Sequence, residues 1–399
     1  MDADTGKYVW HYQINPRDAW DFDSTQQMPM AELIIGGERR KVLMQAPKNG
    51  FFYVLDRQTG QLISAEKLGR VTWAGRIDLA TGRPVEATGV RYESGDSFVF
   101  PSAVGAHSWH SLSFSPRTGL VYIPYMQVGA HLHKGVPQPG VFSIAGLSMS
   151  AYKVDEQDNR GSLLAWDPVS QKARWRVLLP TLWNGGTLAT AGDLVFQGTG
   201  DGYLTAYDAS TGDPLWRFNA GLGIVGAPIS YAVRGQQYVS VLVGYGGATA
   251  IWSELMPAGW KYGAQPRRLL TFSLDGKAAL PPTAPPDRSV RALDDPTIQI
   301  SEADVAAGQA IFNQACAVCH GLNLRSAGSP GPDLRESAIA LSEKGVWAVV
   351  HEGTLLERGM PQYPTLGEPQ VRQIYAYIRA GAREALGTRN PSAGSAAVR

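Results

Sequence analysis

The sequence predicts an all-β propeller, partial within this chain, followed by a small all-α domain. Three observations predict it. A turn motif recurs over the first 275 residues, short strands of even spacing lie between the turns, and a proline-rich stretch near residue 280 gives way to helical periodicity.

The recurring unit is Asp-x-x-Thr-Gly-x-x-x-Trp, seen as Asp2 to Trp10 and again as Asp208 to Trp216. Trp166 to Trp175 is a degenerate copy, while Asp56 to Gly60 and Ser115 to Gly119 keep the turn without the tryptophan. In such a unit a strand ends in Asp, a glycine turn reverses the chain, and the next strand carries an aromatic ring onto the neighbouring sheet. Successive Thr-Gly turns fall 54, 59 and 93 residues apart, the last interval spanning the degenerate copy. That corresponds to one four-stranded sheet per about 40–60 residues, the spacing of propeller blades.

Strands are expected at Arg40–Gln45, Gly50–Leu55, Leu120–Pro124, Ser162–Trp166, Leu194–Gln197, Tyr203–Tyr207 and Gln237–Val243. Five units, some incomplete, fit before residue 275. The expected organisation is a partial propeller over 1–278, a proline-rich linker over 279–299, a helical domain over 300–386 and a disordered tail over 387–399.

Composition excludes several classes. Among 399 residues, 36 are basic and 35 acidic, which gives no argument for nucleic acid. Only 18% are charged, with 45 Gly, 26 Pro and 11 Trp, a balance that suits a turn-rich β protein. No apolar run is long enough to span a membrane.

In the helical part, Cys316-Ala317-Val318-Cys319-His320 is the attachment pattern of a c-type haem, with Cys316 and Cys319 forming the thioethers and His320 ligating iron. Met360, in Arg358-Gly359-Met360-Pro361, is placed to offer a thioether as second axial ligand. Ala306–Phe312 reads as a helix leading into the motif, with Ser301 and Asp304 as an N-cap pair. Glu368–Ala380 reads as a helix presenting Val371, Ile374, Tyr375 and Ile378 on one face. Together these describe a small cytochrome c domain. A zinc site would want further ligands; these are the only two cysteines, and His351 is the nearest other candidate.

Trp20-Asp21-Phe22-Asp23, Ala46–Arg57, His107–Pro116 and Trp183–Thr190 are further distinctive strings. With them, residues 1 to 385 resemble the C-terminal half of the quinohaemoprotein alcohol dehydrogenases, which use pyrroloquinoline quinone (PQQ) and carry a fused cytochrome c domain. The resemblance implies an eight-bladed propeller in the complete protein, with quinone and metal near its axis. It implies that Asp21 is the catalytic base and a metal neighbour, and that Lys48 bonds the quinone oxygens. It further implies that Trp109 lies beside the cofactor and that Asn184 sits where another cofactor-facing blade edge is expected.

Asp23 stands where calcium-type relatives look to have a neutral residue. In an extended backbone it would face the same way as Asp21, and a second carboxylate suits a trivalent ion. The expected metal is therefore Ca²⁺ or a lanthanide ion, with the lanthanide preferred. Ser108 departs from the family, which usually has Asn there. His107 and His110 are read as a strand-packed pair. The segment from Met126 to Val141 is a candidate entrance loop, or an ordinary blade-to-blade connection.

The implied activity is oxidation of a small alcohol by hydride transfer to PQQ, with electrons leaving through haem c to an external acceptor such as a cytochrome or a blue copper protein. Two alternatives stand beside it. One is an electron-transfer cytochrome whose propeller is a docking platform. The other is a PQQ-dependent sugar or aldehyde dehydrogenase. The chain opens inside a repeat unit and shows no export signal, although haem attachment of this type implies a periplasmic protein. It is expected to be the C-terminal part of a longer exported chain, inactive alone as a dehydrogenase. The resemblance then implies that further metal ligands (a Glu and an Asn) and an adjacent-cysteine disulfide lie in the remainder.

Overall fold

The structure, a computed structural model, describes residues 1–134, 142–144, 147–245, 266–282, 289–326 and 329–387. The chain divides into two compact units. The first holds residues 1–134, 149–244 and the described part of 266–283 and consists of β-sheets; the helices from 302 to 387 belong to the second. The expected tail and the middle of the expected linker lie largely outside the described residues.

Three four-stranded antiparallel sheets repeat along the first unit. One runs Met30–Ile35, Glu38–Gln45, Phe51–Asp56 and Leu62–Lys67. The next runs Ser113–Ser115, Leu120–Gln127, Arg160–Asp167 and Lys172–Leu178. A third runs Thr187–Ala189, Leu194–Gly198, Tyr203–Asp208 and Pro214–Asn219. Ile229–Val233, Gln236–Val243 and Arg268–Phe272 form a three-stranded sheet. All seven expected strands are present; six extend by one to three residues, and the strand expected at Gly50–Leu55 is shifted by one to Phe51–Asp56.

The middle sheet is buried on both faces. Val121, Ile123, Leu164 and Trp166 share a core with Val42, Met44, Phe52 and Val54 of the first sheet. The alternate residues Tyr122, Leu163 and Ala165 pack instead with Val195, Tyr207 and Ala209 of the following sheet. Because side chains alternate across a strand, successive residues feed two different cores. Sheets stacked face to face in this way are propeller blades.

One local device builds each blade corner. Asp56 Oδ1 accepts from the backbone N–H of Gln58 and Thr59 and from the Thr59 hydroxyl, and Gly60 takes φ +76°. Asp208 caps its turn with the same two backbone bonds. The ring of Trp10 lies so close to Gly60 that a Cβ there would meet it at 2.5 Å, and its indole N–H donates to Arg57 O at 3.2 Å. Trp175 sits on Gly212 in the same manner and donates to Ala209 O at 3.2 Å. Asp78–Gly82 is a further copy of the turn, absent from the reading above, with the Tyr12 ring against Gly82. In each of these three sheets the ladder between third and fourth strands slips just before the turn, at Val54/Leu55, Ala165/Trp166 and Ala206/Tyr207. A bulge there adds the twist that an outer strand needs.

One expectation is corrected. The segment beginning at Met126 is not an open loop: Gly129–Lys134 is a strand paired with Ser97–Val99, its Ala130 and Leu132 buried. The end of that candidate loop, 135–141, lies outside the described residues.

In the second unit, α1 (Glu302–Ala315) begins at Ser301, whose hydroxyl accepts from Asp304 N at 3.1 Å and donates to the Asp304 carboxylate at 2.9 Å. The short α2 (Ala317–His320) carries the haem motif, and α3 (Glu343–Val350), unmarked in the sequence reading, starts at a Ser342 cap. In α4 (Glu368–Gly387) the expected face of Val371, Ile374, Tyr375 and Ile378 is buried. Helices α1 and α4 cross at Gly308, where a Cβ would meet Gln373 O at 1.9 Å. The helices can approach this closely only because Gly308 has no side chain. Gly308→Ala is expected to destabilise this unit by about 1–3 kcal/mol or more. Denaturant unfolding followed by far-UV circular dichroism checks this, with Gly387→Ala, where a Cβ meets nothing within 4 Å, as the neutral control.

Candidate functional site

Three loops at one end of the sheets bring the propeller residues together. Loop 46–50 joins the second and third strands of the first sheet. Ala106 N donates to Lys48 O at 3.0 Å, and His107 Nδ1 lies 2.6 Å from Ala46 O, tying loop 105–112 to it. Thr187 N donates to Ser111 O at 2.8 Å, which ties on the loop carrying Trp183 and Asn184. Small residues allow these approaches. A Cβ on Gly105 would meet the Lys48 backbone at 2.7 Å, and one on Gly186 would meet Ser111 backbone atoms at 2.9 Å.

Asp21 and Asp23 converge on Lys48. The ammonium lies 2.9 Å from Asp21 Oδ2 and 2.5 Å from Asp23 Oδ1, and it also donates to Asp21 O at 3.1 Å. The Lys48 side chain is 12% exposed, against 71% for Asp21 and 46% for Asp23. Burial alone would lower the Lys48 pKa; the bonds to Asp23 and then Asp21 outweigh it and hold the ammonium above the ordinary lysine range. The convergence does not arise from extended-strand alternation as expected, because Asp21 has φ +64°. Instead Trp20 and Phe22 are buried against Trp73, at centroid distances of 5.2 and 5.5 Å. Asp18 accepts from Trp20 N at 3.1 Å and Phe22 N at 2.8 Å. The anchored aromatics leave the intervening and following carboxylates outward. Asp18 was missed in the sequence, although an Asp two residues before Trp20 is a turn-capping signal. Among the described residues no third His, Cys, Asp or Glu joins the pair in a metal-holding group.

Trp109 is 48% exposed and stacks on the buried His110, centroids 4.3 Å apart. An exposed indole anchored from behind is a fitting platform for a flat cofactor. His110 lies edge-on to Trp183 at 4.7 Å, and burial, with His107 nearby, pushes its pKa down to about 3. Burial likewise lowers His107, although the carbonyls of Ala46 and His110 oppose it. Both rings are packed inside the fold. Asn184 is buried and engaged from within the chain: its amide N–H donates to Thr181 O at 2.7 Å, and its oxygen accepts from the Thr181 hydroxyl at 2.6 Å and Gly200 N at 3.2 Å.

In the helical unit, His320 is buried and its Nδ1 donates to Pro332 O at 2.9 Å, which leaves Nε2 as the nitrogen for iron. Burial lowers its pKa more than that bond raises it, so the ring is neutral, as a ligand must be. Gly331 brings its backbone against the ring, where a Cβ would meet His320 Nδ1 at 2.9 Å and Cys319 O at 2.7 Å. Gly331-Pro332, a turn-type dipeptide after the motif, was the available signal for this support. Cys316 and Cys319 are both free, and burial pushes the Cys316 thiol up to about 12. Met360 packs half-buried on the core that contains Cys316. Its loop is pinned to the motif by the Tyr363 hydroxyl, which donates to Ala315 O at 3.0 Å. These residues fit a covalent haem with a histidine ligand.

Residues 1–67 and 139–239 match the glucose/ethanol/alcohol dehydrogenase β-propeller domain family, a PQQ family. Residues 303–378 match the family described as cytochrome c oxidase, cbb3-type, subunit III, whose members carry a cytochrome c domain. Quinohemoprotein alcohol dehydrogenase ADH IIB of Pseudomonas putida is 51% identical over 382 residues, covering 94% of this chain and 54% of that protein. The chain carries a PQQ β-propeller domain and a cytochrome c domain, and the homologues it matches along most of its length are quinohaemoprotein alcohol dehydrogenases. It spans about half the length of the curated relatives it matches. The solved structure of ADHIIG from Pseudomonas putida HK5 superposes with TM-score 0.83 at 38% identity, over 97% of this chain and 58% of that one. A europium-containing methanol dehydrogenase superposes with TM-score 0.56 at 33% identity, over 62% of this chain and 44% of that one. Among the described residues no helix is long and apolar enough to cross a membrane.

The Lys48 cluster sets a sign for titration. A folded pKa above the ordinary lysine value of about 10.4 means that the ammonium's stabilisation is fully present below that pH and is lost as pH rises through the folded value. Asp23→Asn removes the larger of the two bonds that raise it. Lys48 is expected to lose its proton at lower pH in that variant than in the wild type, as measured by NMR titration of labelled lysine.

Proposed function

We propose that this chain is the haem-bearing portion of a periplasmic alcohol dehydrogenase in which Asp21 is the catalytic base and Lys48 the cofactor-facing cation. The observation that carries this reading is the convergence of Asp21 and Asp23 on the Lys48 ammonium, at 2.9 and 2.5 Å, in a chain that also bears Cys316, Cys319 and His320. When bound, PQQ supplies the two-electron oxidant for the alcohol carbon and haem c carries the electrons away singly.

The chain's own residues do the rest. Asp21, outward and solvent-reaching, accepts the alcohol hydroxyl proton at its carboxylate. Lys48 is ion-paired to both carboxylates and would place its positive charge beside the bound quinone, stabilising negative charge there. Trp109 offers its exposed indole face to the flat cofactor, and Asn184 holds the neighbouring loop in shape through Thr181 and Gly200. His320, oriented by Pro332, and Met360 would hold the haem iron, with Cys316 and Cys319 as the covalent anchors. Asp23 gives the metal position a second anionic oxygen. That charge suits a trivalent lanthanide over Ca²⁺, and kinship with the europium-containing methanol dehydrogenase supports it. The substrate is a small alcohol, and the acceptor is an external cytochrome or blue copper protein.

Dye-linked alcohol oxidation by the holoprotein, loaded with PQQ and either La³⁺ or Ca²⁺, tests this. Activity is expected with La³⁺, and Asp21→Asn is expected to lower kcat by about 10²- to 10⁴-fold. Activity with Ca²⁺ alone would remove Asp23 from the metal. No activity with either ion, beside a normal haem spectrum, would make the propeller a docking platform.

A further inference from the structure

The second histidine of the helical unit, His351, has no part in the chemistry above, yet it stands at the neck of the loop that carries Met360. That loop runs from the end of α3 to the start of α4, and from Glu352 to Gln362 none of its residues is buried. Apolar burial therefore does little to hold Met360 in place. The loop is closed at its neck instead. Tyr363 N donates to Val350 O at 2.8 Å, Gln362 Nε2 donates to His351 O at 2.9 Å, and His351 Nδ1 lies 2.9 Å from Leu366 O. A carbonyl oxygen only accepts, so Nδ1 carries the hydrogen and donates.

His351 supplies two of these bonds, one through its carbonyl and one through its ring, and so joins the residue before the loop to the residue after it. The ring is itself held. It stacks on Trp347, one turn earlier on α3, with centroids 3.9 Å apart and planes 18° apart. Trp347 packs on the core of the unit, and its indole N–H donates to Glu352 Oε1 at 3.0 Å. At the other end Leu366 packs on the same core. The imidazole thus bridges two fixed points, and Met360 lies on the unburied stretch between them.

We propose that His351 is a positioning residue for Met360: its Nδ1–H bond to Leu366 O keeps the loop closed and the thioether at the haem iron. The assignment rests on the reading of Met360 as an axial ligand. Closing a loop costs chain entropy, and a neutral thioether has no charge attraction to draw it back once the loop opens. An open loop leaves the second axial position to any small ligand. The apparent affinity for an added ligand therefore measures the open fraction.

Imidazole titration of the full chain with its covalent haem in the ferric state tests this, followed by the red absorption band that ferric haem shows with a thioether ligand. His351→Phe keeps a ring against Trp347 and removes the donor; His351→Leu removes both. Each is expected to bind imidazole about 5- to 10-fold more tightly than the wild type, the factor that loss of one such hydrogen bond gives. His351→Asn, whose amide N–H replaces the Nδ1–H, is expected to stay within about twofold of the wild type. Met360→Ala is expected to lose the band, and to bind imidazole equally with or without His351→Phe. Wild-type affinity in His351→Phe and His351→Leu, or the same loosening in His351→Asn, would overturn the proposal and leave Met360 as a ligand. A His351→Phe effect that persists beside Met360→Ala would overturn it too. A wild-type band in Met360→Ala would instead overturn the reading of Met360 itself, and the proposal with it.

Discussion

A nearly buried ammonium has to be answered by negative charge, and the Lys48 cluster follows from that requirement. Lys48 leaves the first blade on a loop clamped by Gly105 and Ala106, so the cation cannot swing out to water. Asp21 and Asp23 come to it from a separate segment anchored by the buried rings of Trp20 and Phe22. Holding those two rings in the Trp73 cluster forces the residue between them into φ +64°, a conformation uncommon for a non-glycine. Such strain is retained where the surroundings over-determine it, and such places are often functional. Here the buried aromatics, the Asp18 cap and the ammonium all determine it together.

The rest of the propeller unit provides the rigid frame. Its blades repeat one rule: an aspartate or serine at the strand end organises a glycine turn, a ring from another strand rests on that glycine, and a bulge before the turn twists the outer strand. Both faces of the middle sheet are buried, so the loops at its ends are placed by two cores at once. Those loops carry Trp109 and Asn184, and loop 105–112 is bonded in turn to the Lys48 loop of the first sheet. Loops supported in this way can hold polar chemistry without being buried themselves.

Much of this was legible in the residues, for physical reasons that also explain the misses. The Asp-Thr-Gly turns and the alternating strands are local signals, and so is the haem motif with its leading helix. Strand Gly129–Lys134 was less legible because only Ala130 and Leu132 point inward, while His131 and His133 make it read as a polar connection. The Asp78 turn followed the same pattern but stood between very short strands. Asp21 and Asp23 were expected to face the same way through strand alternation, but their pairing with Lys48 was not anticipated; a left-handed residue stabilised by long-range aromatic packing leaves no local signature. The internal engagement of Asn184 depends on Thr181 and Gly200, and nothing in the Trp183–Thr190 string announces it. Pro332, twelve residues beyond His320, orients that histidine through a contact only the folded chain reveals.

The central claim is that the carboxylates gathered at Lys48 form the metal-facing pole of the site. Terbium luminescence sensitised by the neighbouring Trp20 tests it most directly, because it reads ion binding without turnover. The account predicts saturable, tryptophan-sensitised emission from the wild-type protein, with affinity falling about tenfold or more in Asp23→Asn and further in Asp21→Asn. Equal terbium affinity in all three proteins would contradict it, and would leave the two aspartates as no more than counter-charges to a buried lysine.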